Sequence, residues 1–135
     1  MEMATNLNSF FVEALEDLRC EQDTKSYIIG LLSRYQTTEY DLSKNNITLT
    51  YSKAFFAQDF LTFQSLGDWI FLCNIMFPTH LRNASEDYYS NIARLSYYSC
   101  YKLINRQWKL YEELADAFVP LVVEVKSTLS EEIVL

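Results

Sequence analysis

Along most of this chain apolar side chains recur at every third or fourth position, the spacing that gathers them on one side of an α-helix. Phe11, Ala14, Leu15 and Leu18 share a face while Glu13, Glu16 and Asp17 point to water, which predicts a first helix capped by Asn8 or Ser9 and ending near Cys20 or Gln22. Thr24 is placed to cap a second helix through Ile28, Leu31, Leu32 and Tyr35, and Gly30 within it suggests a close helix crossing. From Thr37 to Thr50 the pattern turns polar, predicting a long loop near 37–50. Ile47 to Tyr51 alternates like a strand but has no partner, so it reads as extended loop.

Ser52 is expected to cap a third helix through Phe63, and Leu66 to Phe77 reads as a central helix that is apolar on nearly every side after Asp68. Pro78 closes it, because the residue before a proline is pushed out of helical geometry. Ser85 starts a fifth helix reaching about Leu103, with a face of Tyr88, Ile92, Leu95, Ser99 and Leu103 and small residues Ala93, Ser96, Ser99 and Cys100 that admit a close neighbour. Trp108, Tyr111, Ala115, Phe118, Val122, Val125 and Leu129 mark a sixth helix that Pro120 should kink or divide. The expectation is an all-α, single-domain bundle of about six helices over residues 1–135.

Composition supports this picture. Half the residues are hydrophobic, and two glycines with two prolines leave few tools for tight hairpins. A net charge of −7 repels phosphate backbones and anionic bilayers, and the basic residues are scattered, so neither nucleic acid nor membrane is an expected partner. The central apolar run is well short of the roughly 20 residues that cross a bilayer. Cys20, Cys73 and Cys100 lack metal-ligand spacing, and Met1 to Asn6 lacks a basic start followed by an apolar stretch, so a reducing cytoplasm is the expected setting.

Candidate chemistry is sparse. His80 is the lone histidine, and no Glu-x-x-His pair of the kind that binds two irons in bundles occurs. Glu112, Glu113 and Asp116 share a helical face, as solvated carboxylates do, and no metal or cofactor is expected. Asp68 stands at the head of the most apolar helix, where a buried carboxylate needs partners or a raised pKa. Asn74 reads as a hydrogen-bonded core amide. Ten tyrosines are present, and Tyr88, Tyr89, Tyr97, Tyr98, Tyr101 and Tyr111 crowd the last two helices, suiting a core margin, a subunit interface or a polar-lined pocket.

Leu66-Gly67-Asp68, Phe77-Pro78, Tyr88-Tyr89, Tyr97 or Tyr98, and Leu110-Tyr111-Glu112-Glu113-Leu114-Ala115 with Phe118 form a pattern over roughly residues 25–125. Together they resemble a bacterial family of small helical proteins without an assigned activity. This chain departs from that pattern in carrying Asn74 and Ile92-Ala93 where glycines are expected. The resemblance implies a helical fold and carries over no assigned activity. The expected function is therefore a non-enzymatic protein that self-associates as a homodimer through an aromatic face or binds a protein partner. The alternative is a module holding a small, partly apolar ligand between helices, with Asp68, Tyr88, Tyr89 and Tyr97 as ligand-binding residues.

Overall fold

In the computed structural model, residues 2–34, 43–81 and 84–133 are described. They form seven α-helices: α1 (Glu2–Ala14), α2 (Gln22–Ser33), α3 (Lys44–Ala57), α4 (Phe60–Met76), α5 (Glu86–Leu103), α6 (Leu110–Asp116) and α7 (Phe118–Ile133), with a short 3-10 turn at Pro78–His80. No β-strand occurs among the described residues, as the helical periodicity requires.

The central helix lies where its composition places it. α4 packs against α2, α3, α5 and α7 and buries Phe63, Leu66, Gly67, Ile70, Phe71, Leu72 and Cys73. Phe77 accepts no further helical turn before Pro78, and the helix stops there. α5 lies against α4, α6 and α7, and its small residues Ala93, Ser96 and Cys100 are buried. Its buried stripe runs through Tyr89, Ile92, Ala93, Tyr97, Cys100 and Tyr101, turned away from the face read in the sequence, so that Leu95 is left half exposed. Ser85 caps this helix as expected, its hydroxyl accepting from the Tyr88 N–H at 3.2 Å. The last helical stretch divides at Ala117, three residues ahead of Pro120, which lies in the first turn of α7 where a missing N–H is tolerated.

Several boundaries differ from the sequence reading. α1 starts at Glu2, so Asn8 and Ser9 are interior rather than caps. Thr24 lies inside α2, fully buried, and the residue at the cap position is Glu21. The N–H of Glu21 donates to the Glu113 carboxylate of α6 at 3.1 Å, so the start of α2 is satisfied from another helix, a bond that local pattern cannot disclose. The expected extended segment Ile47–Tyr51 is helical within α3, because Ser43 caps the helix by accepting from Asn46 at 3.5 Å, well before Ser52. Residues 37–42 of the expected loop, with Tyr35, fall outside the described residues, and 44–50 are helical rather than loop. The helix read from Ser52 through Phe63 breaks at Gln58, which takes a left-handed φ of 51°. Asp59 then starts α4, accepting from the Thr62 N–H at 3.3 Å and hydroxyl at 2.7 Å.

Gly30 is not a crossing point: a Cβ added there would meet only the Arg34 guanidinium at 3.8 Å. The close approach is at Gly67. Leu114 in α6 is 1% exposed and belongs to the shared core, so Leu114→Ala should lower unfolding free energy by about 2–5 kcal/mol. Chemical denaturation measures it, and a change below about 0.5 kcal/mol, the scale of surface substitutions, would contradict this packing.

Candidate functional site

Gly67 and Asp68, consecutive on α4, build a polar point at the margin of the core, where Gly67 is buried and the Asp68 side chain partly so. A Cβ on Gly67 would sit 2.7 Å from both Cε1 and Cζ of Tyr97, so the missing side chain is what lets that ring lie against the helix. Seated in this notch, Tyr97 donates its hydroxyl to Asp68 Oδ1 at 2.8 Å. Tyr27 of α2 donates to the same oxygen at 2.7 Å. One turn earlier on α4, Gln64 donates through Nε2 to the Tyr111 hydroxyl at 2.8 Å. Four helices thus send polar groups to one end of the core.

Aromatic rings wall the cluster. Tyr111 meets Tyr27 and Phe60 edge-on at 6.0 and 5.6 Å, lies 6.4 Å from Tyr97, and takes the indole of Trp108 edge-on at 5.8 Å. Such edge-to-face pairs contribute about 0.5–1.5 kcal/mol beyond the area they bury. They also confine the hydroxyls to the directions in which the carboxylate and amide lie.

Burial controls the electrostatics. It raises the Asp68 pKa to about 6, against the opposing pull of the Tyr27 and Tyr97 hydrogen bonds and the more distant Arg34 charge. Burial and then the Asp68 charge drive the Tyr27 and Tyr97 hydroxyls well above their ordinary value, so they stay neutral donors. The nearby Cys100 thiol is pushed up to about 12, first by burial and then by Asp68. A thiol so held has no thiolate character and makes a poor nucleophile. The group therefore holds one titratable proton, at Asp68, with neutral hydroxyl donors arranged around it.

Of the residues singled out in the sequence, Asp68 and Tyr97 come together. Tyr88 and Tyr89 do not join them, since they lie more than two helical turns earlier on α5, about 12–14 Å along its axis. Tyr89 is buried and edge-on to Tyr88 at 5.9 Å. The Tyr88 hydroxyl shares a hydrogen bond with Thr48 of α3, and Lys44 lies over its ring at 5.5 Å. Asn74 donates to the Ile70 carbonyl at 2.9 Å, as expected for a core amide. His80 is half-buried rather than free in solvent, and its ring stacks on Phe77 at 5.1 Å. Sequence reading missed Tyr27, Gln64 and Tyr111. The four-residue spacing of Gln64 and Asp68 was a signal that both share a helix face, whereas Tyr27 and Tyr111 are linked to it only by tertiary packing.

Two surface features accompany this cluster. Leu49, Phe55 and Phe56 of α3 and Leu61 of α4 are each half or more exposed, Phe56 the most at 86%. Glu21, Asp23, Glu112, Glu113 and Asp116 line a groove of about 650 Å³ between α2 and α6 together with Trp108, Lys109 and Leu110, and the Trp108 ring is linked through Tyr111 to Phe60 at the start of α4. The Trp108 indole N–H donates to Asp23 at 3.0 Å, which fixes it as one wall. Among the described residues no three histidine, cysteine or carboxylate side chains are placed to hold a metal ion, and no helix is long and apolar enough to cross a membrane. Comparison of the chain with protein-family models, curated proteins and solved structures gives no match.

Two predictions come from the Gly67–Asp68 step. Gly30→Ala should stabilise the fold by about 0.5–1 kcal/mol because space is open and alanine favours the helix. Gly67→Ala should instead destabilise it, since overpacking costs about 1–3 kcal/mol and outweighs that gain. Equal effects of the two variants in thermal unfolding would remove the notch from the account. The second concerns pH. Because the Asp68 pKa rises on folding, the folded state holds this proton more tightly, so the carboxylate costs stability increasingly as pH climbs from the ordinary 3.8 to about 6, and fully above that. Asp68→Asn keeps an acceptor without the charge. Its stability relative to the parent should rise from near zero at the acid end of that window to at most about 3 kcal/mol above it, and a pH-independent difference in denaturant titrations would refute the buried charge.

Proposed function

We propose that this chain is a non-enzymatic helical protein of the reducing cytoplasm that acts by association, forming a homodimer. The observation that carries the reading is the exposed group Leu49, Phe55, Phe56 and Leu61 at the α3–α4 corner. Scattered apolar side chains are ordinary on a surface, but four exposed large ones between residues 49 and 61, with Phe55 and Phe56 in ring contact, are of the kind that partner proteins cover. The tyrosines of α5 and α6 do not supply such a patch, since Tyr89, Tyr97, Tyr101 and Tyr111 are buried. The compartment is supported by Cys73 and Cys100, buried as free thiols in the core.

A second reading, a site for a small and partly apolar ligand beside Asp68, draws on the convergence of hydroxyls and an amide from four helices on that point. It has less support, because the grooves formed by described residues open elsewhere, at the α2–α6 face, beside Arg94 and Tyr98, and beside Val12 and Ile29. A metabolite thermal-shift screen tests it: a hit that persists in Asp68→Asn would place the ligand elsewhere.

For the association reading, light scattering at micromolar concentrations should give a mass above the 15.9 kDa chain. Phe56→Asp should return it to the monomer while changing stability by no more than about 0.5 kcal/mol, because the side chain is exposed. A wild-type protein that stays monomeric at those concentrations overturns the reading.

A further inference from the structure

We infer that α3 of one copy docks into the acidic groove between α2 and α6 of a second copy, and reciprocally; this rests on the self-association reading and names its two surfaces. Among the described residues α3 packs chiefly on α4, and of its fourteen residues it buries Ile47 and Ala54. Its sequence carries Lys44 and Lys53 and no carboxylate, in a chain whose net charge is −7. The α2–α6 groove has the opposite character, five carboxylates against Lys109, with the apolar surfaces of Trp108 and Leu110 among them. A basic helix edged with phenylalanines and an acidic groove walled by an indole are complementary in charge and in apolar content.

Area favours this arrangement over two α3 helices stacked on each other. At about 200 Å² for a whole aromatic side chain, the exposed parts of Leu49, Phe55, Phe56 and Leu61 amount to on the order of 500 Å². A stable interface buries about 800 Å² per partner. Reciprocal docking makes each copy contribute ridge and groove together, and a two-fold axis closes the pair. Stacking ridge on ridge would instead bring the lysines of both copies to one interface.

Charge reversal with exchange tests the assignment by sedimentation equilibrium on the full chain. Lys53→Glu on the ridge and Asp116→Lys in the groove both alter exposed side chains, so each variant should retain the parent circular dichroism. Alone, each should weaken dimerisation about tenfold or more. Mixed in equal amounts they should form a heterodimer close to the parent in affinity, because the reversed charges again face opposite ones. If both variants dimerise like the parent, self-association stands and these surfaces are wrong. Tighter pairing of Lys53→Glu with the parent than of the parent with itself would mean that α3 meets α3, overturning the inference. A strictly monomeric parent removes this inference and the reading beneath it together.

Discussion

A single carboxylate oxygen at the margin of the core, partly buried and shared by two tyrosine hydroxyls, constrains how this bundle is put together. Apolar side chains can slide and repack with modest loss, but a buried carboxylate must be met by donors of defined direction. Because Tyr27 of α2 and Tyr97 of α5 both reach Asp68 Oδ1, those helices have one rotation and one depth relative to α4. The Tyr111 rings and Gln64 extend the same constraint to α6. Burial favours the neutral form of Asp68, and the two tyrosine donors that meet it fix where its carboxyl group sits.

The periodicity of the chain made the helical class, the central helix, the Ser85 cap and the division near Pro120 legible. It also pointed to Asp68 as the polar exception, and to Tyr97 among several tyrosines. Boundaries were harder wherever the deciding bond is tertiary or where competing caps occur. The start of α2 depends on Glu113, some ninety residues away in the chain, and Ser43 claims the start of α3 ahead of Ser52. Which tyrosine meets Asp68 depends on the phase of α5 to within one residue, since Tyr97 faces inward and Tyr98 lies at the margin. Tyr27 and Tyr111 carry no local mark at all, because an aromatic at a helical spacing reads as core whatever its hydroxyl does.

The polar interior and the surface divide the protein's chemistry between them. Inside, burial holds the Cys73 and Cys100 thiols and the Tyr27 and Tyr97 hydroxyls neutral, leaving Asp68 as the group of the cluster that titrates. Outside, charge is unevenly distributed, with the lysines of α3 on one helix and a concentration of carboxylates across α2 and α6.

The notch at Gly67 also bears on how the sequence could have diverged. Any side chain there collides with the Tyr97 ring, and any smaller residue at 97 leaves both an empty space and an acid short of a donor. A change at either position alone therefore costs stability. Inheritance should therefore treat the pair as a single locus, with glycine and tyrosine kept together or exchanged together along any lineage that retains the acid between the helices.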